Sequence, residues 1–441
     1  LQLTALLAGR GLHPASWRLS AERTDLRMGP LQTWAKTAER GKLDAVLFGS
    51  PIGGPQLRAS GYVDRIRIDT LPLMASCIAL TSHIGLGAML LPRYAQPYNA
   101  ARIFATLDHL SSGRAAWIAN CFPEPDVTVN YAHLGPRADA AASFERTREF
   151  VDVTRKLWDS WEDAALLIDK ATGRFADPDK VHRIDHDGTW FKVRGPLNVP
   201  RPRQGQPVIV VTDPQTEQGR DLAAQTADVL LIHADTPDSA RTLCRDMHRR
   251  VEAAGRPSGA LRILANIMPI LGPTPIEARR RANQLYNLVT PPLAAALVAD
   301  WLDAPCMRAN PAASHNDLLS AIWPEHRAAW PSRGLDAGMQ LREAAQQVTV
   351  AQTGPRFVGD AEALADMMQE WMEQKACDGF NVVPAALPDD LDSVVDTLIP
   401  LLRQRKLVRD HYIGSTLREH LGLSRPESRY TPNAATGARD A

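Results

Sequence analysis

Eight short apolar runs, each followed by a segment of helical periodicity, predict an α/β protein folded as a (β/α)8 TIM barrel with insertions. The runs are apolar throughout rather than alternating, as in parallel strands covered on both faces by helices. Eight such units favour a closed barrel over an open doubly wound sheet. The 441 residues, 44% hydrophobic and 23% charged, suffice for a large core and exclude wholesale disorder.

Apolar density places strands over 1–7, 44–50 (DAVLFGS), 84–91, 114–121, 207–212 (PVIVVT), 229–233, 263–271 and 379–384. Helical spacing places helices over 30–40, 70–82, 97–110, 138–161, 217–226, 236–254, 361–374 and 389–404. Pro30 suits the first turn of its helix, where a missing N–H costs nothing. Three gaps exceed simple connections, near 51–68, 162–206 and 273–360, and read as insertions in one barrel domain spanning 1–423. Residues 424–441, rich in Pro, Arg, Ser and Ala, read as a C-terminal extension that is an extended arm or disordered.

Lys plus Arg and Asp plus Glu both number 50, so the basic excess that nucleic acids or anionic membranes require is missing. No apolar stretch approaches the ~20 residues of a membrane span. The chain starts at Leu1 rather than a methionine, which suggests a trimmed or partial chain. Its first segment has no positive residue ahead of the apolar run and does not read as a signal peptide. Five cysteines stand singly, with no CxxC pair, which argues against a disulfide framework or structural zinc and for a reducing cytoplasm.

No GxSxG, HExxH, P-loop or GxGxxG motif occurs. His182, Asp185 and His186 in HRIDHDG stand among charged and turn-forming neighbours, which reads as a surface loop rather than a metal centre. Asp108 and His109 are adjacent and face different ways on a helix, so they suit hydrogen bonding rather than an acid/base dyad. Barrel active sites assemble at the C-terminal ends of strands. The segments there contain His13, Trp17, Tyr94, Tyr98, Asn120, Cys121, Asp213, Thr216 and Arg220, a polar and aromatic set suited to a flat organic ligand.

The run LTSHIGLGAMLLPRYAQPYNAARIFATLDHLSSGRAAW resembles the core signature of the nitrilotriacetate and dibenzothiophene-sulfone monooxygenase group of the bacterial luciferase-like flavin monooxygenases. GLHPASWR, AERGKLDAVLF and the stretch from ACDGFNVVPAALPDD onward are similar to the same group, so the resemblance covers nearly the whole chain. It implies a two-component enzyme that receives reduced FMN from a separate flavin reductase and oxygenates a small organic substrate with O2. It also implies a homo-oligomer. On this resemblance His13, Tyr94, Asn120 and Cys121 are expected at the catalytic centre. Ser50, Arg93, Thr212, Thr216, Gly219 and Arg220 are expected at the cofactor, and no metal is expected.

Departures from the family pattern cluster at the flavin site. FFAD after strand two becomes LFGS, with Gly49 and Ser50. STTY becomes LPRY, with Pro92 and Arg93 new and Tyr94 kept. WNxVTS becomes Trp117 to Phe122, with Asn120 shifted by two positions. An HxxRY-like element, whose Tyr reaches the FMN phosphate, aligns with Ala140 to Phe144 and loses the hydroxyl. QAGxSxxGR becomes Val211 to Arg220, in which Thr216 replaces the Ser hydroxyl and Asp213 opposes a phosphate. Gly354 stands where many relatives carry a His. Two functions accommodate these changes. One is a monooxygenase with a rebuilt flavin pocket, in which Arg93, Asn120, Thr216 and Arg220 supply new contacts. The other is a flavin-independent biosynthetic enzyme, or a non-catalytic partner subunit, that has lost the usual FMN site.

Overall fold

The structure, a computed structural model, describes residues 1–19, 29–49, 68–120, 140–212, 214, 216–301 and 340–430. The strands are β1 (Gln2–Leu7), β2 (Ala45–Phe48), β3 (Gly85–Met89), β4 (Ala115–Ile118), β5 (Leu166–Asp169), β6 (Arg174–Ala176), β7 (His186–Asp187), β8 (Lys192–Val193), β9 (Val208–Thr212), β10 (Val229–Ile232), β11 (Arg262–Leu271), β12 (Arg356–Gly359) and β13 (Gly379–Val382). The parallel order β10-β9-β4-β3-β2-β1-β13-β11 closes on itself through β10–β11 pairing, giving the predicted eight-stranded barrel.

β11 is long enough to serve two partners on the edge opposite β13. Arg262 to Ala265 pair there with β10, and Met268 to Leu271 with β12, which no barrel position accounts for. Helices Pro97–Leu110 and Glu217–Thr226 have the bounds that their periodicity predicts. Caps explain several starts. Pro97 occupies a first-turn position, and Asp69, Thr216, Thr236 and Asp360 each accept a backbone N–H at the start of their helices.

Two cores follow from strand alternation. One set of side chains packs outward against the helices, with Trp117, Phe104, Phe150 and Trp158 at its centre. The other fills the barrel interior, where Ala45, Leu47, Ala116, Ile118, Val208, Val210, Val229, Leu231 and Leu264 meet Leu417, Leu421 and Leu423. The helix Leu417–His420 thus plugs the N-terminal mouth, and Gly85 makes room for Leu417, whose Cδ1 would lie 2.4 Å from any Cβ there.

Residues 162–206 carry two antiparallel hairpins, β5–β6 and β7–β8. Residues 273–360, read from sequence as an insertion without assigned elements, carry β12 and the helices Pro275–Asn287, Pro291–Trp301 and Leu341–Thr353. Residues 51–67 lie outside the described residues. Residues 424–430 lie against the 162–206 segment, with an Arg425–Asp163 ion pair at 2.5 Å and Tyr430 stacked on His182 at 4.0 Å between ring centres.

Candidate functional site

Strand direction sends the loops after β1, β3, β4 and β9 to one end of the barrel. His13 follows β1; Arg93 and Tyr94 lie in the 3-10 turn Pro92–Tyr94 after β3; Asn120 follows β4; Thr212 ends β9. Cys121, Ser50 and Asp213 lie outside the described residues.

Asn120 and Thr212 tie two neighbouring strand ends together. The Asn120 Oδ1 accepts from the Thr212 backbone N at 3.2 Å and from its hydroxyl at 3.1 Å. The Asn120 Nδ2 has no partner among the described residues.

His13 is buried, and its Nδ1 accepts from the Ala15 backbone N at 3.2 Å, so the ring proton sits on Nε2. Burial, reinforced by the positive charge of Arg356, pushes its pKa down to about 4. The imidazole is therefore a neutral hydrogen-bond donor at neutral pH.

Thr216 caps the helix Glu217–Thr226, its Oγ1 accepting from the Gly219 N at 3.1 Å. The N–H groups of Glu217 and Gln218 and the Thr216 hydroxyl proton remain to meet an anion. Phe144, from the helix Ala140–Asp159, closes the turn from the side. A Cβ on Gly219 would lie 3.1 Å from the Thr216 Oγ1, 3.2 Å from the Pro214 Cβ and 3.5 Å from the Phe144 Cε1. Backbone amides, one hydroxyl and an absent Cβ fit a phosphate.

Arg220 does not join this turn. Its guanidinium pairs with Glu217 at 3.5 Å and Asp246 at 3.9 Å, in an open charged groove of about 1060 Å³ between the helices Glu217–Thr226 and Pro237–Ala253. One helical position after Gly219, its side chain leaves on the outer face. His182 and His186 also separate, His182 pairing with Glu162 at 2.8 Å and His186 with Glu149 at 3.2 Å. Asp108 is a core acceptor, taking the Gln204 Nε2 at 2.7 Å, while His109 meets the Pro200 carbonyl at 3.1 Å.

The motif reading misses a buried polar chain across the barrel. The Thr4 hydroxyl donates to Asn381 Oδ1 at 2.7 Å, and Asn381 Nδ2 donates to Asn266 Oδ1 at 2.7 Å. Its signal is a single polar residue at an inward position of an otherwise apolar strand. Gly354, at φ +90°, leaves the space in which a Cβ would lie 2.8 Å from the Asn266 Cβ and 3.1 Å from the His233 Cδ2. A side chain at this position is thereby excluded from the site.

The closed barrel makes the chain a (β/α)8 protein, a fold whose ligand sites lie at the C-terminal mouth. It belongs to the luciferase-like monooxygenase family, whose model matches residues 13–377. It is 34% identical to N-acetyl-S-(2-succino)cysteine monooxygenase of Bacillus subtilis (strain 168), over 98% of both chains. It is 33% identical to nitrilotriacetate monooxygenase component A of Aminobacter aminovorans, over 95% of both. A riboflavin lyase solved with a modified FMN and riboflavin superposes with a TM-score of 0.81 at 26% identity, covering 97% of each chain. The chain is accordingly an oxidoreductase of the monooxygenase class. Among the described residues no helix is long and apolar enough to cross a membrane.

Proposed function

We propose that this chain is the oxygenating component of a two-component system that takes reduced FMN from a separate flavin reductase and oxygenates a small organic substrate with O2. The observation that carries this reading is the Thr216–Gly219 turn closed by Phe144, an oxyanion cradle at the C-terminal mouth of a luciferase-like barrel. Reduced FMN supplies the electrons by which one oxygen atom enters the substrate and the other leaves as water. Thr216 and the backbone around Gly219 hold the phosphate. Asn120, fixed by Thr212, presents its amide to the ligand, and neutral His13 donates from Nε2 without introducing charge. Tyr94, in the turn after β3, contributes to the same wall. The enzyme works in the cytoplasm as a homo-oligomer.

The test is a spectral titration of the purified protein with oxidised and with chemically reduced FMN, followed by oxygen-uptake assays with a flavin reductase present. Micromolar binding of the reduced form, about −8 kcal/mol, is expected. No binding of either form at millimolar FMN would sink the reading and favour a flavin-independent enzyme or a partner subunit.

A further inference from the structure

We propose that Arg93 and Arg146 together seat a carboxylate of the organic substrate, so that this enzyme acts on an organic acid. The proposal rests on the flavin-monooxygenase reading above.

The two guanidinium groups share one face. Arg93 reaches the helix Ala140–Asp159, its Nη1 lying 3.4 Å from the Ser143 Oγ, and its guanidinium carbon sits 5.9 Å from the centre of the Tyr94 ring. Arg146, three positions after Ser143 and so on the same helix face, donates from Nη1 at 2.8 Å to the carbonyl of Pro92, the neighbour of Arg93. The Arg146 guanidinium lies 4.8 Å over Phe191.

Neither cation pairs with a carboxylate among the described residues. The Arg93 Nε is buried and has no hydrogen-bond partner among them. The nearest acids on the helix are engaged elsewhere. Glu149 accepts from His186 and from the backbone N of Trp190 and Phe191, and Glu145 pairs with Arg148. Burial together with the charge of Arg93 lowers the Arg146 pKa, and the charge of Glu149 offsets only part of this. Arg201, Arg418 and Arg409 differ in pairing with Asp159 at 3.2 Å, with Asp228 at 2.8 Å and with Asp44. Arg114, also without a carboxylate, differs in that carbonyls and the Thr81 hydroxyl satisfy its guanidinium. Two adjacent half-buried cations with no carboxylate bonded to either among the described residues, and only the more distant charge of Glu149 to offset them, are unfavourable until an anion arrives.

The cofactor phosphate has a separate seat. The helix Ala140–Asp159 packs between Pro97–Leu110 and Glu217–Thr226. Phe144 faces Gly219 on the Glu217–Thr226 flank, whereas Ser143 and Arg146 face the loop after β3. A second anion at this mouth therefore comes from the substrate, and two planar forks suit a carboxylate.

Thermal shifts with succinate, and with uncharged dimethyl succinate, on the parent, Arg93→Ala, Arg93→Lys and Arg146→Ala test this. FMN and riboflavin titrations are run on the same proteins. Succinate should raise the parent Tm and dimethyl succinate should not. Either alanine variant should abolish the shift, Arg93→Lys should retain part of it, and FMN affinity should change less than about twofold. No succinate shift in the parent, or an undiminished shift in both alanine variants, would overturn the proposal. So would a tenfold loss of FMN affinity in Arg93→Ala with riboflavin affinity unchanged, because that result assigns the pair to the cofactor phosphate. A parent that responds to succinate through both arginines yet binds no FMN would uphold the carboxylate seat and refute the flavin reading.

Discussion

One oxygen of Asn120 holds Thr212 twice, through its backbone N–H at 3.2 Å and its hydroxyl at 3.1 Å, and so clamps the ends of β4 and β9 at the mouth of the barrel. Removing that acceptor leaves two donors short of a partner. Asn120→Ala should lower stability by about 1–2 kcal/mol in urea unfolding. It should lower kcat as well, since the amide proposed to meet the ligand goes with it. Unchanged stability and kcat would show that the clamp has no energetic role.

Phe144 covers the Gly219 turn without a hydroxyl. Phe144→Tyr adds a donor beside the oxyanion cradle and should tighten FMN binding about five- to tenfold, or about 1 kcal/mol. Riboflavin, which lacks the phosphate, is the control and should bind the variant and the parent alike. Equal gains for both flavins would mean that the new hydroxyl does not meet the phosphate.

Gly219→Ala tests the cradle from the other side. The new Cβ would meet Thr216 at 3.1 Å and Pro214 at 3.2 Å. It would also narrow the approach of a phosphate to the first-turn amides. FMN affinity should fall at least tenfold, about 1.4 kcal/mol. Flavin fluorescence titration measures this, and an unaltered Kd would place the phosphate elsewhere.

His13 predicts a pH dependence. Its pKa is about 4 in the fold against an ordinary value of 6.5, so the unfolded chain binds the extra proton between those limits. The folded state is favoured fully above pH 6.5 and loses this contribution as the pH falls through 6.5 toward 4, by up to about 3 kcal/mol. The difference in unfolding free energy between the parent and His13→Gln isolates the effect from buried carboxylates common to both. A difference that does not change with pH over this window would mean that His13 titrates normally.

Arg418 joins the C-terminal plug to the barrel by pairing with Asp228, at 2.8 Å between Nη2 and Oδ2. Arg418→Ala leaves the Asp228 carboxylate buried with a poorer partner in Arg256, 3.7 Å away. A loss of about 3–5 kcal/mol is expected, read as a shift in the urea midpoint. A shift below 1 kcal/mol would show that Arg256 fully replaces it.

The local order of the chain was legible without a structure. Runs such as VIVVT in β9 and the stripe of Pro97–Leu110 carry periods that water and burial impose residue by residue, so strands, helices and the closed barrel follow from them. The Thr216–Gly219 turn was equally readable, because a hydroxyl and a glycine around a helix start are local chemistry. The helix Pro291–Trp301, apolar but for Asp300, and strand β12 escaped that reading, since neither shows a stripe or an alternation. The tertiary structure alone decided where the arginines point. Arg220 and Arg93 look alike in sequence, yet one reaches Asp246 on the outer surface and the other Ser143 at the mouth. It alone brought Asn266 to Asn381 and Arg146 to Pro92, across 115 and 54 residues. A flexible side chain takes its direction from partners supplied by distant strands, and only closure of the barrel brings those partners within reach.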